Sequence, residues 1–240
     1  MVDLLLIKME KTGKMQRIDS AITALRNGRF ILIHDSDSRE NEVDMVMASE
    51  FVTPASVAQM RKDAGGLICL AVEMEIANRI GLPFLVDVEK SVSNKFPVLN
   101  YIRFDIPYDK RSSFSISINH RDTFTGITDK DRALTIREFA KFCKNLPEDT
   151  QKEFGLRFRS PGHIPLLISS GLHSREGHTE LSTALLRMAK LVPVAVICEM
   201  LDDTEFGALS RENAVKYAEK HNLIILEGSE VKETYEDWHS

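Results

Sequence analysis

Residues 194–228 read VAVICEMLDDTEFGALSRENAVKYAEKHNLIILEG, and three segments inside this stretch decide the fold class. VAVICEM (194–200) is a short continuous apolar run of the kind a sheet buries on both faces. SRENAVKYAEKH (210–221) opens on a capping serine and continues as a helix. NLIILEG (222–228) is a second apolar run closed by glycine. A strand, a helix and a strand in that order indicate an α/β layered domain.

The same alternation continues toward the N-terminus. TELSTALLRMAKL (179–191) is a helix stopped near Pro193, and HIPLLIS (163–169) is a short strand after a Ser-Pro-Gly turn. TIREFAKFCKNL (135–146) reads as a helix, and SFSISINH (113–120) alternates as a strand does. LICLAV (67–72) is a strand candidate, followed by the helix MEIANRI ending at Gly81. Before it, Thr53 and Pro54 cap and open the helix ASVAQMRKDA, which stops at Gly65 and Gly66. RIDSAITALRNGR (17–29) sets Ile18, Ile22 and Leu25 at helical spacing ahead of the buried strand FILIH (30–34). Asp87 to Asp109, with Pro97 and Pro107 and no clear period, reads as a long loop. The expectation is one α/β domain (of layered α+β type) over residues 18–240, a mixed sheet flanked by helices, preceded by a frayed or extended segment 1–17.

At 240 residues and 43 % hydrophobic content the chain has enough apolar material for a full core. Its 31 basic and 36 acidic residues leave a charge of −5, which argues against binding nucleic acid through phosphate neutralisation. Cys69, Cys143 and Cys198 are odd in number and far apart, so neither a disulfide framework nor a cysteine zinc site is indicated, and a reducing cytoplasm is the natural setting. LLLI near the start is too short for a signal-peptide core or a membrane span.

Five segments carry chemistry. DSDSRENEVD (35–44) packs five carboxylates around Arg39 directly after a buried strand. Either it is a solvated loop, or its mutual repulsion is offset by a cation while the arginine holds a phosphate or carboxylate. A calcium loop of EF-hand type is excluded, because its obligatory glycine is Glu40 and its closing glutamate is Val46. In REGHTELS (175–182) a helix starts just after His178, so Gly177, His178 and Thr179 offer unpaired N–H groups to an anion, unless Thr179 merely caps the helix. In RSPGHIP (159–165) His163 opens a strand, as a fixed acid or base or as a structural histidine. Glu199 closes VAVICEM with the same two readings, and TFTGITDKDR (123–132) is a Thr/Gly loop of phosphate-wrapping type.

Taken together, DSDSRENEVDMVMAS, DAGGLICLAV, FTGITDKDRA, RSPGHIPLL, REGHTELS and VICEM occur in the order and approximate spacing of 3,4-dihydroxy-2-butanone 4-phosphate synthase, and the resemblance runs from about Ile18 to Leu226. The chain is most similar to the archaeal single-function form, with no room for a fused GTP cyclohydrolase II domain. The resemblance implies conversion of D-ribulose 5-phosphate to L-3,4-dihydroxy-2-butanone 4-phosphate and formate in riboflavin biosynthesis. It further implies Mg²⁺ (or Mn²⁺), with two divalent ions per site, and a homodimer with its sites near the subunit interface. Glu40 and His178 match the metal ligands. Arg39, Glu40, Asp44, Glu199 and the run Arg175, Glu176, Gly177, His178 and Thr179 match substrate-binding positions, and His163 and Glu199 match the catalytic pair. Asp35, Glu42, Cys69 and Thr125 fall on pocket positions, although a buried cysteine in LICLAV is more often core packing than a pocket contact. The chemistry implied begins with removal of a proton beside a carbonyl, a divalent ion stabilising the enediolate, followed by dehydration and skeletal rearrangement. Val43 and Glu176 depart from the glycines common in bacterial members. A metal-dependent sugar-phosphate isomerase and a catalytically idle sugar-phosphate binder are the competing classes, separated from the synthase by formate release.

Overall fold

The structure is a computed structural model that describes residues 2–239, with side chains from residue 13 onward. In chain order the elements are α1 (Val2–Arg26), β1 (Ile31–His34), β2 (Val43–Ala48), α2 (Pro54–Gln59), β3 (Cys69–Glu73), α3 (Met74–Ile80), α4 (Leu85–Ser91), β4 (Phe114–His120), α5 (Asp129–Lys144), α6 (Thr150–Arg157), β5 (Phe158–Ser169), α7 (His178–Met188), β6 (Val194–Glu199), α8 (Arg211–His221), β7 (Ile224–Glu227) and α9 (Gly228–His239). The strands form one mixed sheet in the order β4-β5-β3-β6-β2-β1-β7. The β3–β5 and β1–β7 pairs are parallel and the other neighbours antiparallel. The expected fold class therefore holds.

Local chemistry explains the helix limits. Thr53 and Ser56 form a reciprocal capping box at α2, and Ser210 accepts the Asn213 amide at α8. Thr128 caps α5, which starts at Asp129, six residues ahead of the expected Thr135, with Asp129 and Asp131 in the first turn and Lys141 and Lys144 in the last. Strand residues alternate between two apolar layers. Ile31, Ile33, Val46 and Ile197 pack with Ile18 and Leu25 of α1 and Leu181 and Leu185 of α7. Leu32, Met45, Leu70 and Val196 pack on the other face with Val57, Ile136 and Phe139. This double burial is why the strands read as continuous apolar runs.

Several expectations need correction. The start is helical rather than extended, since α1 runs unbroken from Val2. VDMVMA is a buried strand that pairs with β1 and β6, although its Asp44 sits inside the acidic stretch read as a loop. A final helix, α9, follows the last strand. The segment 87–109 contains the end of α4 and a short 3₁₀ turn at Pro97–Asn100 before becoming irregular. The Ser-Pro-Gly segment does not precede a strand opened by His163, since β5 already begins at Phe158. It bulges out of β5, where Ile164 pairs with Ile118 and Arg159 with the next residue, Asn119. Gly162 is required there, because a Cβ would stand 2.0 Å from the Ile118 carbonyl carbon. β4 side chains hold the excursion inside the ladder: Ser117 Oγ accepts the Gly162 amide at 3.1 Å and Asn119 Oδ1 accepts the His163 amide at 2.8 Å.

Candidate active site

The β1–β2 hairpin delivers the acidic loop to one end of the sheet, and α7 starts beside it. Asp35 is fully buried at its side chain and organises the loop: its carboxylate accepts the amides of Glu40 (3.0 Å) and Glu42 (3.2 Å) and a bond from Arg39 Nη1 (3.0 Å). Its oxygens are thus committed to structure. Asp44 and Glu199 are register partners on β2 and β6, so both point to the same face. Gly66 packs against Glu199, where a Cβ would lie 2.5 Å from Oε2, and the Leu67 amide donates to that same oxygen at 2.8 Å.

His178, the first residue of α7, joins these elements. Its Nε2 donates to the Ile33 carbonyl at 3.2 Å, which turns Nδ1 toward Glu40 Oε2 (3.2 Å) and Asp44 Oδ1 (3.6 Å). Burial would raise the Glu40 pKa, but the bond and charge of His178, with Arg39 and Arg175, hold it down at about 2. Asp44 is pushed up to about 8, by burial first and then by Glu199, Glu40 and Glu42 against the opposing His178. Burial works to lower His178, yet Asp44, Glu40 and Asp35 carry it up to about 9. Asp44 stabilises the imidazolium only when ionised, so the two rises describe one shared proton that the pair keeps at neutral pH. Glu42 is raised by burial, Glu40 and Glu199.

Two guanidiniums stand beside this cluster. Arg175 bonds Glu180 through Nη1 (2.6 Å) and Asp109 through Nε (2.7 Å), and Arg39 bonds the same Asp109 oxygen through Nη2. Both press on Gly177, the residue before α7, whose Cβ would stand 2.2 Å from Arg175 Nη1 and 2.8 Å from Arg39 Nη2. The N–H groups of the first turn of α7 open in the same direction as its positive dipole end. A cavity of about 360 Å³ joins cluster and arginines, lined among others by Glu42, Tyr108, Ser112, Thr179 and Glu199.

The donor set suits a divalent cation. Ligand atoms of Asp35, Glu40 and His178 lie within 4.8 Å of one another. With Asp35 committed, the open donors are Glu40 and His178 Nδ1, and the buried Asp44 Oδ1 has no hydrogen-bond partner. A bound cation would satisfy that orphaned oxygen.

The structure thus gathers Asp35, Arg39, Glu40, Glu42, Asp44, Arg175, Gly177, His178, Thr179 and Glu199 into one site. It does not gather the others. Glu176 points away and pairs with Lys232 of α9 at 2.5 Å. Cys69 is 1 % exposed within the core layer beneath the site, its thiol pushed up by burial, Glu199 and Asp44. His163 is exposed on the β5 bulge and held by Asn119, and Thr125 is exposed in a loop bonded to Asp131. Thr179 does not cap α7, because Gly177 takes that position. Sequence reading missed Tyr108 and Asp109, which come from the segment without periodicity, Ser112, which follows it just ahead of β4, and Glu180, which the helical pattern of TELS absorbed.

Comparison with known proteins identifies the family. The family model for 3,4-dihydroxy-2-butanone 4-phosphate synthase matches residues 19–234. The chain is 48 % identical over 226 residues to the 3,4-dihydroxy-2-butanone 4-phosphate synthase of Methanothermobacter thermautotrophicus, covering 93 % of this chain and 97 % of that protein. It is similar to a cation-free crystal structure of a synthase of that name (29 % identity, TM-score 0.74, covering 93 % of this chain and 98 % of the other). A crystal structure of such a synthase in complex with two magnesium ions is likewise similar (30 % identity, TM-score 0.71, 89 % and 93 % covered).

Proposed function

The chain belongs to the 3,4-dihydroxy-2-butanone 4-phosphate synthase family, and from that premise we propose that it is a lyase converting D-ribulose 5-phosphate to L-3,4-dihydroxy-2-butanone 4-phosphate and formate in riboflavin biosynthesis. The observation that carries this reading is the juxtaposition of a buried acid–imidazole cluster with a two-arginine cradle at a helix N-terminus. The cradle suits a phosphate, and the cluster suits the polar, carbonyl-bearing end of a sugar. Arg39, Arg175 and the N–H groups of His178 and Thr179 receive the phosphate. Glu40 and His178 hold a divalent ion, Mg²⁺ or Mn²⁺, and the relative with two magnesium ions supports two ions per site. When bound, such an ion draws off negative charge that develops on substrate oxygens. Glu199, fixed by the Leu67 amide, and Glu42 and Asp44 move protons at the carbon skeleton, burial raising the proton affinity of Glu42 and Asp44.

His163 acts in a homodimer. It is exposed, and no contact joins it to Glu199 or to the acid cluster among the described residues, while Phe124 is 96 % and Ile127 51 % exposed in the loop that carries Thr125. A second copy covering that apolar loop would bring His163 and Thr125 to the neighbouring site, in keeping with closed two-fold symmetry. Among the described residues no helix is long and apolar enough to cross a membrane.

The test is formate release from D-ribulose 5-phosphate with Mg²⁺, beside an EDTA-treated sample. Metal-dependent formate matched by a four-carbon phosphate is expected. A folded, metal-loaded protein that releases none overturns the reading.

A further inference from the structure

The carboxylates around the two arginines are of two kinds. Asp35, bonded to Arg39, and Glu180, bonded to Arg175, have fully buried side chains. Each is tied to the backbone as well, Asp35 by the amides of Glu40 and Glu42 and Glu180 by the amide of Ser170 at 2.8 Å. They are fixtures that orient one guanidinium each. Asp109 differs. It comes from the irregular segment between Asn100 and Phe114, its side chain is 11 % exposed, and among the described residues its hydrogen-bonding partners are the two guanidiniums alone. A single oxygen, Oδ2, bridges both arginines, whose Nη1 (Arg175) and Nη2 (Arg39) are the groups that a Cβ on Gly177 would meet. That is where an anion joining both guanidiniums to the start of α7 belongs.

We propose that Asp109 is an internal occupant of the phosphate cradle, which the substrate's phosphate must displace before it binds, so that Asp109 sets the substrate affinity of the site. The inference rests on the phosphate-binding role given to Arg39 and Arg175 above. Displacement follows from charge. A phosphate dianion between two guanidiniums competes for the same N–H donors, and the cradle does not accommodate both anions without like-charge repulsion. Tyr108, whose ring lies 5.3 Å from the Arg39 guanidinium carbon, precedes Asp109 in the chain and would move with it. The closed arrangement lowers the fraction of molecules with an open cradle, and apparent affinity falls by that fraction. It also keeps two arginines neutralised when no substrate is present.

The test uses the full-length protein in Mg²⁺ buffer, with inorganic phosphate as the probe, titrated calorimetrically into wild type, Asp109→Asn and Asp109→Ala. Neither replacement carries a charge to compete for the guanidiniums. Both variants are expected to bind phosphate about tenfold more tightly than wild type, with KM for D-ribulose 5-phosphate falling in step. If both variants bind phosphate no better or more weakly, with unchanged thermal unfolding, Asp109 is a scaffold for the arginines and the proposal fails. Tighter phosphate binding by both variants in a protein that releases no formate supports the Asp109 inference while removing the assigned reaction.

Discussion

Replacing Gly177 by alanine tests the cradle through one methyl group. The backbone there is extended, with φ −88°, so alanine adopts it without strain and the whole effect is steric. The added Cβ would lie 2.2 Å from Arg175 Nη1 and 2.8 Å from Arg39 Nη2. Restoring ordinary contact distance moves Nη1 by about 1 Å, which stretches its 2.6 Å bond to Glu180 to about 3.6 Å, beyond hydrogen-bonding range. Glu180 then keeps a buried carboxylate short of a charged donor, a loss of about 1–3 kcal/mol. For a chain of this size that lowers Tm by about 2–4 °C per kcal/mol. The guanidiniums also leave the position that receives phosphate, and one charge-assisted bond lost, about 1.5–3 kcal/mol, raises KM for D-ribulose 5-phosphate roughly 10- to 150-fold. Steady-state kinetics and thermal unfolding followed by circular dichroism measure both effects. Gly155→Ala is the control, because nothing lies within 4 Å of a Cβ there. A Gly177→Ala enzyme with wild-type KM and Tm would show that the arginines do not rest on Gly177.

Two further predictions follow from the same site. If His163 serves the neighbouring copy's site, inactive His163→Ala and inactive Glu199→Gln proteins, unfolded together and refolded as mixed dimers, should recover about a quarter of wild-type formate release; no recovery in mixed dimers would place both groups in one subunit's site. Stability of the metal-free protein should fall as pH rises from 7 to 9. His178 rises from an ordinary 6.5 to about 9 and Asp44 from 3.8 to about 8, so the pair holds its shared proton more tightly folded than unfolded. That contribution is complete below the unfolded values and is lost as pH rises through the folded ones. Saturating Mg²⁺, taking the place of the shared proton, should abolish the fall. Urea midpoints at the two pH values measure it, and a flat metal-free profile would rule out the shared proton.

The fold class, the alternation of elements and the residues of the acid cluster were legible in sequence because they depend on local signals. Apolar runs, capping serine and threonine, and stop glycines act over a few residues, and the sheet core inherits its pattern from them. The positions of Glu40, His178 and Glu199 were likewise readable, since several spaced segments agreed with one family. The acidic stretch, however, hid β2: alternating charge masks a strand whose two faces are buried by neighbours far away in the chain. What only the tertiary structure decided is how the charges are shared. Asp35 is drawn inward to hold its loop and Asp44 becomes an orphaned, proton-holding acid. Glu176 turns outward to Lys232, and Asp109, from a stretch without periodicity, settles between two arginines. Nothing in the spacing of carboxylates along a chain distinguishes these fates. They are set by burial and by the nearest opposite charge, and both come from residues far apart in the chain, as His178 and Glu40 are at 138 positions.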